Sequence, residues 1–339
     1  MSKKFFKLYG NCIPVNGISE SVIFDIERRC FLPITNNIFE FIIFNEEKNF
    51  SIDELKGYFN HQQDEGIDAL FNYIQDKGYG FFTNEPELFP KISLEWDSPY
   101  IITNAIFEIT IDSLPFIHNA IQQLNSIGCE AIELRFIDEF SYQVIADILT
   151  LFNNSRTKCI FLFIKYSDSL KFENLKSFYI NFSTISTIIV HSSIKNEDYK
   201  NLLPPNVYSK IKSIEKIINI ENVETVNSVS MVLNMASFTE AYNYNLGLNR
   251  KVCINHKGEI KNYLSHNKTF GLIQVDNLRE VIGNIEFQKK WNITKDNIEV
   301  CRDCQNRFFC MDTADIIQKE GKYYRKINCK FDPYKNTWN

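Results

Sequence analysis

Long apolar stretches are missing from this sequence of 339 residues. No run of about eighteen consecutive apolar residues occurs, so a membrane-spanning helix is not expected. The basic and aromatic N-terminus is soon interrupted by Gly10 and Asn11, and no apolar segment of the kind found in secretory signal peptides follows it. We therefore expect a cytoplasmic protein that makes no contact with a membrane and whose thiols stay reduced.

Excess positive charge is also missing. The chain has 37 Lys and Arg against 42 Asp and Glu, a net charge of −5, and an isoelectric point of about 5.7. Proteins that bind nucleic acid through the phosphate backbone carry a basic surface, so a nucleic-acid partner is not expected. The 44% of hydrophobic residues is enough for a large core, and the length favours two or three domains.

Cysteine is absent between Cys30 and Cys129, yet the C-terminal end is rich in it. Four of the nine cysteines lie in residues 301–329: Cys301, Cys304, Cys310 and Cys329. Four thiolates can hold Zn²⁺ or an iron–sulfur cluster, and the two-residue gap between the first pair turns both toward one centre. Four unrelated core cysteines are one alternative, but their neighbours are polar; disulfides are another, but nothing indicates secretion.

The first ninety residues have the pattern of a small winged-helix-like module. Residues 5–15 and 21–32 are predicted as strands joined by a hairpin at Asn16-Gly17. Ser51 and Glu54 form a capping-box pattern at the start of a helix. The helices and the closing strand are predicted near residues 37–44, 51–59, 64–77 and 79–82.

Residues 91–235 alternate between extended and helical segments at the spacing of β-α units. The strands are predicted at residues 100–111, 131–136, 159–164 and 187–191, and a further one at 211–220. Helices are predicted at 113–127 and 142–152, while residues 175–182 are ambiguous. This alternation predicts an α/β fold in which a partial parallel α/β barrel forms the middle of the chain.

The loops after the strands of such a barrel carry its chemistry, but here they hold no phosphate-binding glycine loop and no ligand cluster. Asp138 and Glu139 could act as acid and base, although a solvated loop and helix cap is the more common role of such a pair. His191 ends a strand and His118 lies on a helix, and both are interpreted as structural. Cys129 and Cys159 begin strands and are interpreted as small core residues.

The order of elements in residues 1–90 resembles the peptide-recognition module of ribosomal-peptide maturation enzymes, the family of the small pyrroloquinoline-quinone chaperone. The resemblance implies that a leader peptide pairs as an added strand along residues 22–31, beside the third helix. That helix carries Asp64, Glu65, Asp68 and Asp76, so it would attract a Lys-bearing leader and would repel DNA.

The four C-terminal cysteines, in the pattern Cys301-x2-Cys304-x5-Cys310 followed by Cys329, resemble the second half of a SPASM domain. In that family these positions ligate an auxiliary [4Fe–4S] cluster, and a hairpin around Gly258 helps to ligate another. Tyr263 and Ala314 stand where further cysteines belong, and Cys253 is too close to Gly258. The resemblance therefore implies one cluster, with Cys253 a leftover thiol; zinc in the same site stays an alternative.

SPASM domains follow radical-SAM barrels, whose first loop carries Cys-x3-Cys-x2-Cys. That motif is absent, and residues 136–139 replace the Gly-Gly-Glu stretch that would hold the methionine amine. We therefore expect neither S-adenosylmethionine binding nor radical chemistry.

The layout as a whole is similar to the SPASM-domain peptide maturases of grasp-with-spasm systems, which work beside an ATP-grasp ligase. It predicts a precursor-recognition module at residues 1–90, a degenerate radical-SAM-like barrel at 91–235 and a SPASM-like metal-binding domain at 236–339. The implied function is to bind a ribosomally made precursor peptide and present it to the ligase. An iron–sulfur redox enzyme acting on a peptide and a zinc-stabilised structural adaptor are the alternatives.

Overall fold

The computed structural model of the chain describes residues 3–199, 210–218, 231–327 and 329–338. Within these ranges it is a mixed α/β protein with one large, mostly parallel sheet. None of the helices in the described ranges is both long and apolar enough to cross a membrane.

The N-terminal elements form a three-stranded sheet, a two-stranded sheet and three helices. In chain order they are β1 (Phe5–Leu8), β2 (Cys12–Val15), β3 (Ser21–Asp25), β4 (Cys30–Ile34), α1 (Asn36–Lys48), α2 (Ile52–Tyr58), α3 (Asp64–Asp76) and β5 (Gly80–Thr83). The strand order is β2-β3-β4 in one sheet, and β1 pairs with β5 in the other. The predicted hairpin at Asn16-Gly17 is confirmed as the β2–β3 connection, and Ser51 and Glu54 make the predicted capping box at α2.

Each of the two strands predicted in this region is divided by a turn. The amide of Cys12 donates to the carbonyl of Tyr9, which turns the chain between β1 and β2. The carboxylate of Asp25 accepts from the amides of Glu27 and Arg28 and turns the chain between β3 and β4. Asp25 is suited to this role because a short acidic side chain can bind amides two and three residues ahead of it.

Strand β3 is buried along its whole length, since β2 and β4 pair with its two edges and both of its faces are covered. Ile23 points into the core beneath the three helices. Phe24 points the other way, into a core shared with Phe238, Phe308 and Phe309. The edge that was predicted at residues 22–31 is therefore open only at its far end, in β4, because a central strand has no unpaired edge to offer.

The large sheet is built mainly from β-α units, as the alternation predicted. Its elements are β6 (Ile102–Ile109), α4 (Leu114–Ile127), β7 (Cys129–Phe136), α5 (Tyr142–Thr150), β8 (Cys159–Lys165), α6 (Phe172–Asn181), β9 (Ile185–His191), β10 (Glu197–Asp198), β11 (Lys210–Ser213), α7 (Met235–Asn243), β12 (Lys251–Ile254) and β13 (Ile260–Lys261). The ambiguous residues 175–182 lie mostly in α6. The predicted strand at 211–220 is confirmed as β11, and its residues 219 and 220 lie outside the described ranges.

The eight strands follow the order β10-β11-β9-β8-β7-β6-β12-β13, and all the pairs from β11 to β12 are parallel. Helices cover one face, where Phe107, Leu134 and Leu162 join a core with Ile121 of α4 and Phe178 of α6. Within the described ranges the first and last strands do not pair with each other, so the sheet is open at both ends.

The C-terminal region contributes to this sheet as well as forming small elements of its own. These are α8 (Leu278–Gly283), α9 (Ile285–Gln288), β14 (Ile316–Lys319), β15 (Lys322–Arg325), β16 (Phe331–Asp332) and β17 (Thr337–Trp338). The predicted hairpin around Gly258 is present as β12 and β13. Since β12 also pairs in parallel with β6, the large sheet extends across the domain boundary predicted at residue 235.

A buried histidine, His266, lies between this hairpin and the C-terminal segment. Its side chain is 1% exposed and its Nε2 lies 3.0 Å or less from the carbonyl oxygen of Thr313, at 2.9 Å. Burial lowers the pKa of His266 to about 4, and the nearby Asp315 carboxylate does not reverse this. At neutral pH the imidazole is therefore uncharged and donates to Thr313.

We expect His266 to make the fold less stable in mild acid. Its folded pKa lies below the value of about 6.5 in an unfolded chain, so its contribution is complete above about pH 6.5 and is lost as the pH falls toward about 4. Urea midpoints should fall more over this interval for the parent chain than for His266→Gln, with a difference of up to about 3 kcal/mol. The exposed His61, replaced by Gln, is the control; equal pH slopes for His266→Gln and the parent would contradict the assignment.

Candidate metal centre

Two short 3-10 turns position three of the four predicted cysteines. Cys301 starts the turn Cys301–Asp303, and the amide of Cys304 donates to the carbonyl of Cys301 at 3.0 Å. The second turn, Arg307–Phe309, ends at Cys310. Cys329 lies between β15 and β16. The short spacing within 301–310 is what brings these three residues together, since each turn reverses the chain within a few residues.

The four cysteines line one cavity of about 140 Å³. All four are half-buried free thiols. Cys304 is near enough to Cys310, Cys301 and Cys329 for each of them to act electrostatically on its thiol. The structure therefore brings together the four residues that the sequence predicted as one site.

Burial keeps these thiols protonated in the absence of a metal. It raises the pKa of Cys301 to about 11, although Lys295 and Arg325 act in the opposite direction, and it raises the pKa of Cys304 to about 12. Burial also raises the pKa of Cys310. A metal or cluster would have to displace these protons, because the thiolate is the ligand form.

Buried cations form part of the cavity wall. Lys295 is 3% exposed, and its Nζ lies 3.3 Å from Oδ2 of Asp312 and 3.2 Å from the carbonyl oxygen of Asp312. Arg325 binds the same carboxylate, with its Nη2 at 2.9 Å from Oδ1. Burial alone would raise the pKa of Asp312, but Lys295 and Arg325 outweigh it and hold that pKa well below its usual range.

Two cations thus share one carboxylate, which leaves one positive charge uncompensated beside the thiols. An unpaired charge is costly in a buried position unless an opposite charge comes to it. Thiolates in the cavity would supply that negative charge. The charge distribution therefore suits an anionic metal–thiolate group.

The side chains surround the cavity instead of converging on one point. Among the described residues, no group of three or more His, Cys, Asp or Glu is placed to hold a metal ion. A multi-atom iron–sulfur cluster spaces its thiolates further apart than a single ion does, so the donor set and the open volume between the thiols fit a cluster better than one Zn²⁺.

The remaining predicted residues lie away from this cavity and have structural contacts. Cys253 is fully buried on β12 in a small core with Ile106, Leu248 and Tyr263. His191 is fully buried, and its two ring nitrogens lie 3.0 Å from the carbonyl oxygen of Phe136 and from Oγ of Ser192. Burial lowers its pKa.

Asp138 accepts from the amide of Ile111 at 2.9 Å and so caps the turn after β6, while Glu139 and His118 are exposed. Cys129 and Cys159 begin β7 and β8 as expected. None of these positions joins another in an acid–base pair among the described contacts.

The sequence did not indicate Lys295, Asp312 or Arg325. Their ion pairs join residues 13 and 17 positions apart in segments without regular structure between them, and no helical or strand spacing predicts such contacts. Two of the charges on the face of the large sheet that carries no helices, Glu108 and Arg135, were also missed. There a signal existed, because each charge alternates with apolar neighbours in a strand.

We expect the Asp312 carboxylate to contribute strongly to stability. Asp312→Asn leaves Lys295 and Arg325 buried without a countercharge and should cost about 3–5 kcal/mol of unfolding free energy. Urea denaturation at matched metal content measures it. Glu286→Gln is the control, since Glu286 pairs with Lys268 in a solvent-exposed contact worth about 1 kcal/mol or less. Equal losses for the two variants would show that the network is not under buried-charge constraint.

Comparison with known proteins gives no relative for this chain. No family model, no curated protein and no solved structure matches it. The function is therefore argued from the chain's own residues and their arrangement.

Proposed function

We propose that this chain is a maturation factor for ribosomally made peptides. It binds a precursor peptide through its N-terminal module, carries one [4Fe–4S] cluster on Cys301, Cys304, Cys310 and Cys329, and presents the peptide to an ATP-grasp ligase. The observation that carries the proposal is the convergence of these four cysteines on one cavity beside an uncompensated positive charge. The ligase partner is supported by the resemblance in layout alone.

In this proposal the large sheet is a partial barrel of radical-SAM type that has lost its S-adenosylmethionine site. The N-terminal elements are a winged-helix-like recognition module, and the C-terminal region is a reduced SPASM domain. The cluster would supply either structural cross-linking or electrons. The protein residues that would act toward it are the four thiols as ligands and Lys295 and Arg325 as countercharges.

The peptide is proposed to pair with β4. No strand among the described residues pairs with the outer edge of β4, whereas the outer strand β2 lies in an apolar cluster with the linker residues Ile92 and Leu94. Phe31 on β4 is 54% exposed and offers an apolar contact. Pro33 lacks an amide hydrogen, so an added strand would pair mainly with residues 30–32.

Helix α3 lies beside this edge. Its C-terminal end reaches β4 through Tyr79, whose hydroxyl donates to Sγ of Cys30 at 3.4 Å. Glu65, Asp68 and Asp76 are exposed on α3. These charges favour a leader that carries Lys, and salt would weaken its binding.

The metal content tests the first half of the proposal. Anaerobically purified protein should show broad visible absorbance and contain iron and sulfide. Cys304→Ala should lose the metal and some stability, because ligand binding and folding are coupled, whereas Cys253→Ala should retain the metal. Full occupancy in Cys304→Ala would refute the ligand set, and a colourless protein with one bound zinc would favour the structural adaptor.

Peptide binding tests the second half. The full chain is titrated with a fluorescent leader segment from a candidate precursor encoded beside it, and anisotropy reports the affinity. Phe31→Ala should weaken binding by about tenfold, equivalent to about 1.4 kcal/mol, and added salt should weaken it further. Ile180→Ala, at an exposed apolar site on α6, should leave it unchanged. Binding that persists in Phe31→Ala and protects only amides beyond residue 91 would rule out this edge.

A further inference from the structure

The turn between β2 and β3 is joined to the cysteine segment by one buried arginine. Arg307 is 7% exposed. Its Nη1 donates to the carbonyl oxygens of Asn16 at 2.5 Å and of Cys304 at 3.0 Å, and its Nη2 donates to Oδ1 of Asn16 at 2.7 Å. The same guanidinium therefore binds the N-terminal hairpin and the backbone of a proposed metal ligand.

The hairpin turn and the cysteine segment are also in close backbone contact. The amide of Ile18 donates to the carbonyl of Asp303 at 2.8 Å. A Cβ atom on Gly17 would lie 2.9 Å from Cβ of Gln305 and 3.0 Å from its amide nitrogen. These distances leave no room for a side chain at Gly17, so the position of the turn depends closely on the position of residues 303–305.

A second set of contacts runs through aromatic rings. Phe309, which precedes Cys310, packs edge-on against Phe24 of β3 with ring centroids 4.6 Å apart. Phe24 in turn packs against Phe31 of β4 at 5.9 Å. The proposed peptide edge and the proposed metal ligands are thus connected through both the backbone of the turn and the core beneath the sheet.

We propose that metal occupancy of the cysteine cavity and the order of the β2–β3–β4 sheet are coupled through Arg307 and Asn16, so that the loaded chain presents a better-ordered β4 edge to a peptide. This inference rests on the proposed metal centre and peptide edge. Bound metal would fix Cys304 and, through Arg307, the turn that holds β3 and β4. Coupling of this kind is reciprocal, so a peptide on β4 would slow metal loss.

The test is amide hydrogen exchange of the full chain with and without its metal, iron and sulfide or zinc as purified. Amides in residues 12–34 should exchange about fivefold more slowly in the loaded chain, a value at the low end of typical coupling factors. Amides in α4 and α5, which are remote from Arg307, should exchange equally in both states and serve as the internal reference.

Variants at Asn16 separate the coupling from general stability. Asn16→Ala removes the side-chain acceptor of Arg307 and should abolish the metal-dependent difference and speed iron loss to a chelator by about fivefold. Asn16→Asp keeps an acceptor oxygen and should preserve both properties. Asn181→Ala, at an exposed position on α6, should behave as the parent.

The outcomes distinguish this inference from the proposed function. If the parent chain holds its metal but residues 12–34 exchange equally in both states, the coupling is refuted and the metal centre stands. If Asn16→Asp behaves like Asn16→Ala, the Arg307 contact does not carry the coupling and the inference is wrong. If the parent chain holds no metal, the proposed centre and the coupling are refuted together.

Discussion

The burial of β3 on both faces is the constraint on which the N-terminal half of this protein depends. A strand with covered faces and paired edges cannot shift its register without moving apolar side chains into the wrong layer. Ile23 fixes the helices on one side and Phe24 fixes the cysteine segment on the other. The recognition module and the cysteine cavity are therefore packed on two faces of one sheet and are not independent units.

Charge compensation sets the second constraint. Asp312 holds Lys295 and Arg325 in the protein interior, and neither cation could remain there without it. The excess positive charge makes the cavity a poor place for further cations and a good one for anionic thiolates. This balance links the chemistry of four cysteines to the folding of the region around them, because the same side chains serve both.

Local signals in the sequence were enough for the elements and for the cysteine cluster. Asn16-Gly17 specified a hairpin and Ser51 with Glu54 specified a helix start, since both depend only on neighbouring backbone groups. The division of the first two strands was missed because Asp25 makes its turn through side-chain bonds that strand patterns do not reveal. The Lys295–Asp312–Arg325 network and the open edge at β4 depend on contacts between distant segments, which single-sequence periodicity does not contain.

The pairing of β12 with β6 has a consequence for how the chain is made. Lys251 lies opposite Asn104, so the large sheet gains this neighbour only after most of the chain has been synthesised. Contacts of such long sequence separation form slowly, and until they form, β6 presents an unpaired edge. A nascent or truncated chain that ends before β12 would expose that edge to other strands, and aggregation during expression is the hazard that this topology carries.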